Sequence, residues 1–152
     1  MNRRHFLSIG LCIFPYVSQA LTVDYWRLKP EAWKASSLNE AAIALYGRDK
    51  FSTIQKSNEI ELIAPKASVK NREEIPVTIR TSIKARTVAL FQEANPKSLV
   101  AVFQVHENSI IEYELNIRMA FKGTLFAVVE GVDGRLYYTR AYVDILTLSC
   151  MA

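Results

Sequence analysis

The sequence predicts a mainly β protein, an immunoglobulin-like antiparallel β-sandwich of about seven strands preceded by a short N-terminal helical segment. Apolar and polar residues alternate in short runs from Ile60 onward, which is typical of half-buried strands. Turn signals separate these runs at intervals of about 8–12 residues, the spacing expected of a sandwich. Half of the residues are apolar and 22% are charged, as in ordinary globular domains.

The helical segment is predicted over residues 29–47. Pro30 suits a first helical turn, and Ser37 with Glu40 forms a capping box in which Ser37 caps and Glu40 reaches back. Gly47 can end the helix in a left-handed conformation. We expect four larger side chains to dock this segment onto a core: Trp33, Ile43, Leu45 and Tyr46.

The β-sandwich is predicted over residues 58–147. Residues 93–96 form a turn in which Pro96 cannot continue a ladder, and Asp133-Gly134 is a strong hairpin signal. Residues 66–74 are read as a solvated, charged loop. In chain order, the strand-like runs are EIELIAP, IPVTIRT, TVALFQ, LVAVFQVH, IEYELNIRM, TLFAVVEG and RLYYTRAYVDIL.

Residues 1–20 are predicted to be an export signal. Arg3 and Arg4 give a basic start, an apolar stretch follows, and the small residues Ser18 and Ala20 favour cleavage after Ala20. The run Arg3-Arg4-His5-Phe6-Leu7 is similar to a twin-arginine signal. We therefore expect the protein in the periplasm, with no membrane contact after cleavage.

Removal of this segment leaves a nearly neutral chain with one thiol. Of 19 Lys and Arg residues, two are lost, so 17 face 15 Asp and Glu residues. A nucleic-acid function is therefore not indicated. Cys12 is lost as well, which leaves Cys150, two residues before the last residue of the sequence. An odd cysteine in an exported protein suggests an intermolecular disulfide or a free reactive thiol.

Residues after position 20 show none of the usual catalytic constellations. Their one histidine, His106, ends a predicted strand and is expected at a surface or edge, and one cysteine cannot build a zinc site. Glu112 and Glu114 share a strand face that we expect to be solvated. The tyrosines are read as core and rim of the sandwich: Tyr113, Tyr137, Tyr138 and Tyr142.

Several stretches together resemble the SoxY family, the sulfur carrier subunit of the bacterial thiosulfate-oxidising Sox system. The similar stretches are LIAPKASVKNREEIPVTIRTSI, NPKSLVAVFQV, NIRMAFKGTLFAVVEGVDGRLYYTRAYVDI and, in the helical segment, NEAAIALYG. In that family the chain ends in Gly-Gly-Cys-Gly-Gly, and the cysteine of this arm carries sulfur intermediates. Here Cys150 falls at the corresponding place. Its flanks differ from the family's glycines: Leu148, Ser149, Met151 and Ala152.

The resemblance implies a division into the signal at 1–20, a SoxY-like domain at 21–147 and a carrier arm at 148–152. It implies that Cys150 binds thiosulfate-derived sulfur covalently and that the chain is not catalytic alone. The partners it implies are a SoxZ-like β-sandwich subunit in a heterodimer, a Sox-type haem cytochrome and sulfur hydrolase enzymes. Haem is expected in partner proteins, with no cofactor or metal bound by this chain.

A second interpretation follows from the missing glycines, because glycine leaves the backbone slim and conformationally free. The chain would then be a SoxY-like binding or assembly module of the periplasm that has lost sulfur carriage. Cys150 would be dispensable or would link two chains through a disulfide.

Overall fold

The computed structural model describes residues 24–68 and 74–146. The predicted signal at 1–20 and the predicted arm at 148–152, with Cys150, lie outside the described residues, as does part of the loop predicted at 66–74. Within the described residues, the chain forms four short helices followed by nine strands in two sheets. None of these helices has the length and apolar character needed to cross a membrane.

The helical segment is longer than predicted and is divided into four pieces. These are α1 (Tyr25–Leu28), α2 (Pro30–Lys34), α3 (Leu38–Tyr46) and α4 (Arg48–Ser52). The Ser37 side chain caps α3 by accepting a hydrogen bond of 3.2 Å from the backbone N–H of Glu40. Gly47 ends α3 as predicted, with the positive φ of +91° that glycine adopts at no steric cost, and with an extended ψ of 152°.

The predicted fold class is confirmed, with seven strands of four residues or more and two of two residues. The strands are β1 (Gln55–Lys56), β2 (Ile60–Ile63), β3 (Ala67–Ser68), β4 (Ile75–Thr81), β5 (Ala85–Gln92), β6 (Leu99–Gln104), β7 (Ile111–Ile117), β8 (Gly123–Gly131) and β9 (Leu136–Ile145). The larger sheet has the order β1-β9-β8-β5-β6, and β3 also pairs with β9. The smaller sheet has the order β2-β4-β7. The longer strands pair antiparallel, whereas β1 and β3 pair parallel with β9.

Two apolar clusters hold these layers together. The larger cluster lies between the sheets and contains the alternating residues of β4 and β7, among them Ile75, Val77, Ile79 and Ile117. The second lies between the helices and the other face of the larger sheet, where Phe91 and Leu136 are completely buried. Each face of the larger sheet is therefore covered, the outer one by the helices.

The predicted docking face of the helical segment is confirmed at Leu45, Trp33 and Tyr46, which lie in or against the second cluster, whereas Ile43 is not part of that contact. Leu45 is buried, but Trp33, Ile43 and Tyr46 are half-buried, and the completely buried helical residues are Ala32, Ala41 and Ala42. A methyl side chain lets a helix backbone lie close to the sheet, so small residues occupy the contact and the larger ones surround it. The prediction from the sequence named the larger apolar side chains and omitted the alanines that are most deeply buried.

Candidate functional site

The predicted site residue Cys150 lies outside the described residues, so the structure bears on the site through the strand that precedes it. We call residues 143–146 and the backbone paired with them the β9 exit. Val143 lies opposite Gly123 at the start of β8 and is completely buried. The described chain continues to Leu146, whose relative exposure is 46%.

Close packing at Gly123 brings two backbones together at the β9 exit. A Cβ atom added to Gly123 would lie 3.1 Å from the Cβ and 3.2 Å from the backbone N of Ala94. These distances are shorter than ordinary van der Waals separations between such atoms. Glycine at this position therefore allows β8 to start directly against the β5–β6 connection.

The opposite edge of β9 is paired at the same level. Ala67 and Ser68 of β3 run parallel to Asp144 and Ile145, and the backbone N–H of Asp144 donates to the carbonyl of Lys66 at 2.9 Å. The end of β9 is thus held by β8 on one edge and by β3 on the other. This geometry fixes the position from which the chain continues toward Cys150.

Asn95 links the β5–β6 connection to the β7–β8 connection beside the β9 exit. Its amide Nδ2 donates to the carbonyl of Arg118 at 2.8 Å, and its Oδ1 accepts from the backbone N–H of Ala120 at 2.7 Å. The sequence predicted that Asn95 lies in a turn. Its hydrogen bonds to Arg118 and Ala120, more than twenty residues away, could not be predicted from the local sequence pattern. Two large side chains are exposed on this side of the molecule, Phe121 at 69% and Tyr142 at 54%.

A cleft of about 1050 Å³, which we call the end cleft, lies at the hairpin end of β8. It lies between the β4–β5 connection, the β6–β7 connection and the end of β8. Lys84, Arg86 and His106 line it with Glu107 and Glu130. His106 is exposed, as predicted, but it lies two residues beyond β6 because the strand ends at Gln104.

A polar cluster at the end cleft ties the helices to the larger sheet. Lys50 of α4 forms an ion pair with Glu130 of β8. Thr87 Oγ1 lies 3.3 Å from the Tyr46 hydroxyl and 3.4 Å from Glu130 Oε2. Burial raises the pKa of Tyr46 well above its ordinary value, and the charge of Glu130 adds to this. Burial, followed by the same carboxylate, also raises the pKa of Tyr25.

The predicted solvated face is found on the smaller sheet. Glu112 and Glu114 are exposed on β7, and Glu112 accepts from Arg80 of β4 at 2.6 Å. That bond, followed by the charge of Glu112, raises the pKa of Arg80. Among residues 24–68 and 74–146, no group of three or more His, Cys, Asp or Glu side chains is arranged to hold a metal ion.

Comparisons with known proteins identify a family. The model of the family described as "Sulfur oxidation protein SoxY" matches residues 44–150. The sulfur carrier protein SoxY from Chlorobium limicola f thiosulfatophilum has a similar structure, with 34% sequence identity and a TM-score of 0.65. The match covers 73% of this chain and 97% of that one. No curated protein sequence matches the chain.

More distant structures share the fold alone. One variant of the superoxide reductase (neelaredoxin) from Ignicoccus hospitalis is 11% identical with a TM-score of 0.55, over 63% of this chain and 97% of that one. A second variant of the same reductase is 12% identical with a TM-score of 0.52, over 66% of this chain and 86% of that one. At such identities, these likenesses support the sandwich architecture and carry no functional conclusion.

Proposed function

The chain belongs to the SoxY family of sulfur oxidation proteins, and from this premise we propose that it is a periplasmic sulfur carrier that binds sulfur intermediates on Cys150. The observation that carries the proposal is the family match itself, which extends to residue 150. A carrier role in sulfur oxidation fits a chain that is not catalytic on its own.

The β9 exit supports this proposal by giving the arm a fixed base. From Leu146 to Cys150 the chain advances four residues, and a fully extended chain covers at most about 14 Å over that length. The end cleft is lined by Glu130, which lies opposite Leu136 at the start of β9, and the nine steps from Leu136 to Ile145 span about 30 Å. Cys150 is therefore too far from the end cleft of its own chain, and a partner enzyme supplies the pocket in which the sulfur reacts.

The chemistry of loading needs a thiolate and an external oxidant. A cysteine thiol has an ordinary pKa of about 8.5, so a small fraction is ionised near neutral pH. Formation of a Cys150–thiosulfate conjugate makes one S–S bond, releases the thiol proton and removes two electrons. A partner haem cytochrome takes up those electrons, and a sulfur hydrolase acts on the conjugate afterwards. This chain provides the sulfur atom and its placement.

Intact-mass spectrometry tests the proposal directly. The purified protein is incubated with thiosulfate and Sox-type partner enzymes, and we expect a mass increase of one S2O3 group, which is thiosulfuric acid less two hydrogen atoms. Cys150→Ser removes the reactive thiol and is expected to abolish the increase. Absence of an adduct on the unmodified protein, or the same adduct on the serine variant, would refute sulfur carriage by Cys150.

Export and a heterodimer complete the proposal. Arg3 and Arg4 support twin-arginine transport to the periplasm, and replacing both by lysine is expected to retain the protein in the cytoplasm.

A SoxZ-like β-sandwich subunit is the proposed partner. Co-purification of that subunit with the exported chain tests the heterodimer, and recovery of this chain alone from cells that make both would contradict it.

The flanks of Cys150 favour a second candidate, a SoxY-like assembly module that no longer carries sulfur. Leu148, Ser149, Met151 and Ala152 stand where the family has glycines, and larger side chains restrict the conformations of the backbone. Cys150 would then be dispensable or form a disulfide between chains. Non-reducing electrophoresis separates the two disulfide states, and monomer alone would contradict the cross-linked form of this candidate.

A further inference from the structure

The end cleft has no part in the proposed sulfur carriage, and its lining contains two cations without a carboxylate partner. Lys84 and Arg86 both line the cleft, and both are exposed. Within the part of the chain that the structure describes, neither side chain forms an ion pair. Both side chains are hydrogen-bond donors that carry a full positive charge. Their donors therefore remain for a ligand of negative charge.

A β-bulge places Arg86 at the cleft. The pairing of β5 with β8 shifts register between Ala85 and Thr87, where two steps along β5 match one step along β8. Ala85 and Val88 both belong to the apolar cluster between the sheets, at a spacing of three residues that a regular strand does not allow on one face. Arg86 is the extra residue, and it is turned out of the core. Bulges re-aim side chains in this way and are frequent beside functional sites.

Hydrogen bonds to the residue that follows β8 tie the two cations to the same point. The backbone N–H of Val132 donates to the carbonyl of Lys84 at 2.9 Å, and Nη2 of Arg86 donates to the carbonyl of Val132 at 3.1 Å. This contact uses one of the five N–H donors of the guanidinium and holds its direction. The other donors of Arg86 can meet the oxygens of a ligand.

The β6–β7 connection adds a third nitrogen-bearing side chain, His106, to the cleft lining. The backbone N–H of Val105 donates to the carbonyl of Arg86 at 2.9 Å, so His106 directly follows a residue that is bonded to the bulge. The backbone N–H of Ser109 donates to the carbonyl of His106 at 3.2 Å, and Asn108 between them has φ +65°. A tight turn therefore fixes the backbone of His106 near that of Arg86.

Two carboxylates also line the cleft, and one of them is already neutralised. Glu130 forms an ion pair with Lys50 of α4, so it adds little negative charge. Glu107 is exposed in the turn and opposes the binding of an anion. The two cations, Lys84 and Arg86, thus face one unpaired carboxylate, even with the histidine uncharged. This balance favours an anionic ligand over a cationic one.

We propose that the end cleft binds a tetrahedral oxoanion of the sulfate type, held by Arg86 and Lys84 with His106 beside them. The planar fork of an arginine matches two oxygens of an oxoanion, and a lysine adds a compact charge on a flexible stem. A tetrahedral anion presents oxygens in several directions, so it can meet groups from three segments of the chain at once. The site goes beyond the proposed function, because it lies at the hairpin end of β8 and does not involve Cys150.

Titration of the full chain with sulfate, followed by NMR of the backbone amides, tests the site. We expect saturable shifts at residues 84–87 and 105–109 that chloride at equal ionic strength does not produce. Arg86→Gln is expected to weaken sulfate binding by about tenfold or more, because hydrogen bonds to a charged group are lost. The matched control is Arg140→Gln, which removes an exposed arginine of β9 outside the cleft and should leave the affinity unchanged. Shifts that do not saturate, or equal losses in both variants, would overturn the proposal.

The carboxylate in the turn provides a second test with the opposite sign. Glu107→Gln removes the charge that opposes the anion, and we expect sulfate to bind about threefold more tightly. Because Glu107 is exposed, this variant keeps the proposal testable if Arg86→Gln does not fold. An affinity for sulfate that is unchanged or lower in Glu107→Gln would refute an oxoanion site in the end cleft.

Discussion

Both ends of β9 are paired on both edges, but the hairpin end also has side-chain contacts between groups that ionise, whereas the side-chain contact beside the β9 exit is made by a neutral amide. The hairpin end includes Asp133, which accepts from the Tyr137 hydroxyl at 2.8 Å, and the nearby ion pair of Lys50 with Glu130. At the exit, β8 and β3 flank residues 143–145, and the side-chain brace is the neutral amide of Asn95. We therefore expect changes in pH to affect the contact of Asp133 with Tyr137 more than the contacts of Asn95.

This difference suits the proposed function. Sulfur chemistry on a thiol depends strongly on pH through the thiolate fraction. A base held by backbone hydrogen bonds and close packing keeps its geometry while that fraction changes. Three predictions test whether the two ends differ in this way, beginning with the largest expected effect.

Packing at Gly123 is the most sensitive point of the β9 exit. We expect Gly123→Val to lower the free energy of unfolding by about 1–3 kcal/mol, because the added side chain is forced into Ala94. Urea unfolding followed by circular dichroism measures the change. Thr124→Val is the matched control, since it adds a branched apolar side chain at the next position, which is half-buried and already has a Cβ atom. Equal stability of the two variants would contradict close packing at the exit.

Much of this fold could be predicted because apolar and polar residues alternate along the longer strands. The run from Ile111 to Ile117 forms β7 as expected, and the hairpin at Asp133-Gly134 joins β8 to β9, with Gly134 at φ +81°. The two-residue strands β1 and β3 could not be predicted, because periodicity needs more residues than they contain. Their parallel pairing with β9 depends on tertiary packing.

Cys150 stays a prediction, because it lies outside the described residues. Cys150 stands out in the sequence by composition and by family resemblance. Gly123 at the start of a strand-like run was an available signal, since glycine in a strand often marks close backbone approach. The Lys50–Glu130 pair joins residues eighty positions apart, and no local pattern connects them.

The hydroxyl of Tyr46 makes the helix-covered side of the sheet sensitive to alkali. Burial raises its pKa above the ordinary value of 10, so the contribution of Tyr46 to stability is fully present below pH 10 and is lost as pH rises through the higher folded pKa. Tyr46→Phe removes this ionisation and, with it, the contact to Thr87, at a cost of about 1 kcal/mol near neutral pH.

Urea unfolding between pH 7 and pH 11 tests this prediction. The stability difference between the wild type and Tyr46→Phe is expected to shrink above pH 10, because only the wild type must keep this buried phenol protonated. Tyr113→Phe on the smaller sheet serves as a control for a tyrosine whose pKa is also raised by burial but which lies away from Glu130. A constant difference between wild type and Tyr46→Phe over the whole range would contradict the assignment to Tyr46.

Asp133 gives the hairpin end its sensitivity to acid, with the smallest expected effect of the three. The backbone N–H of Arg135, followed by the hydroxyl of Tyr137, lowers the pKa of Asp133 below its ordinary value of 3.8. A depressed folded pKa means that the stabilisation is present above about pH 4 and is lost as pH falls through the folded value. Asp133→Asn keeps an acceptor but cannot titrate, so its unfolding free energy should fall less steeply between pH 5 and pH 2 than that of the wild type. Tyr137→Phe removes only the second cause and should retain most of the wild-type slope. If Asp133→Asn shows the full wild-type slope, the acid-sensitive group lies elsewhere, and the contrast between the two ends of β9 no longer rests on Asp133.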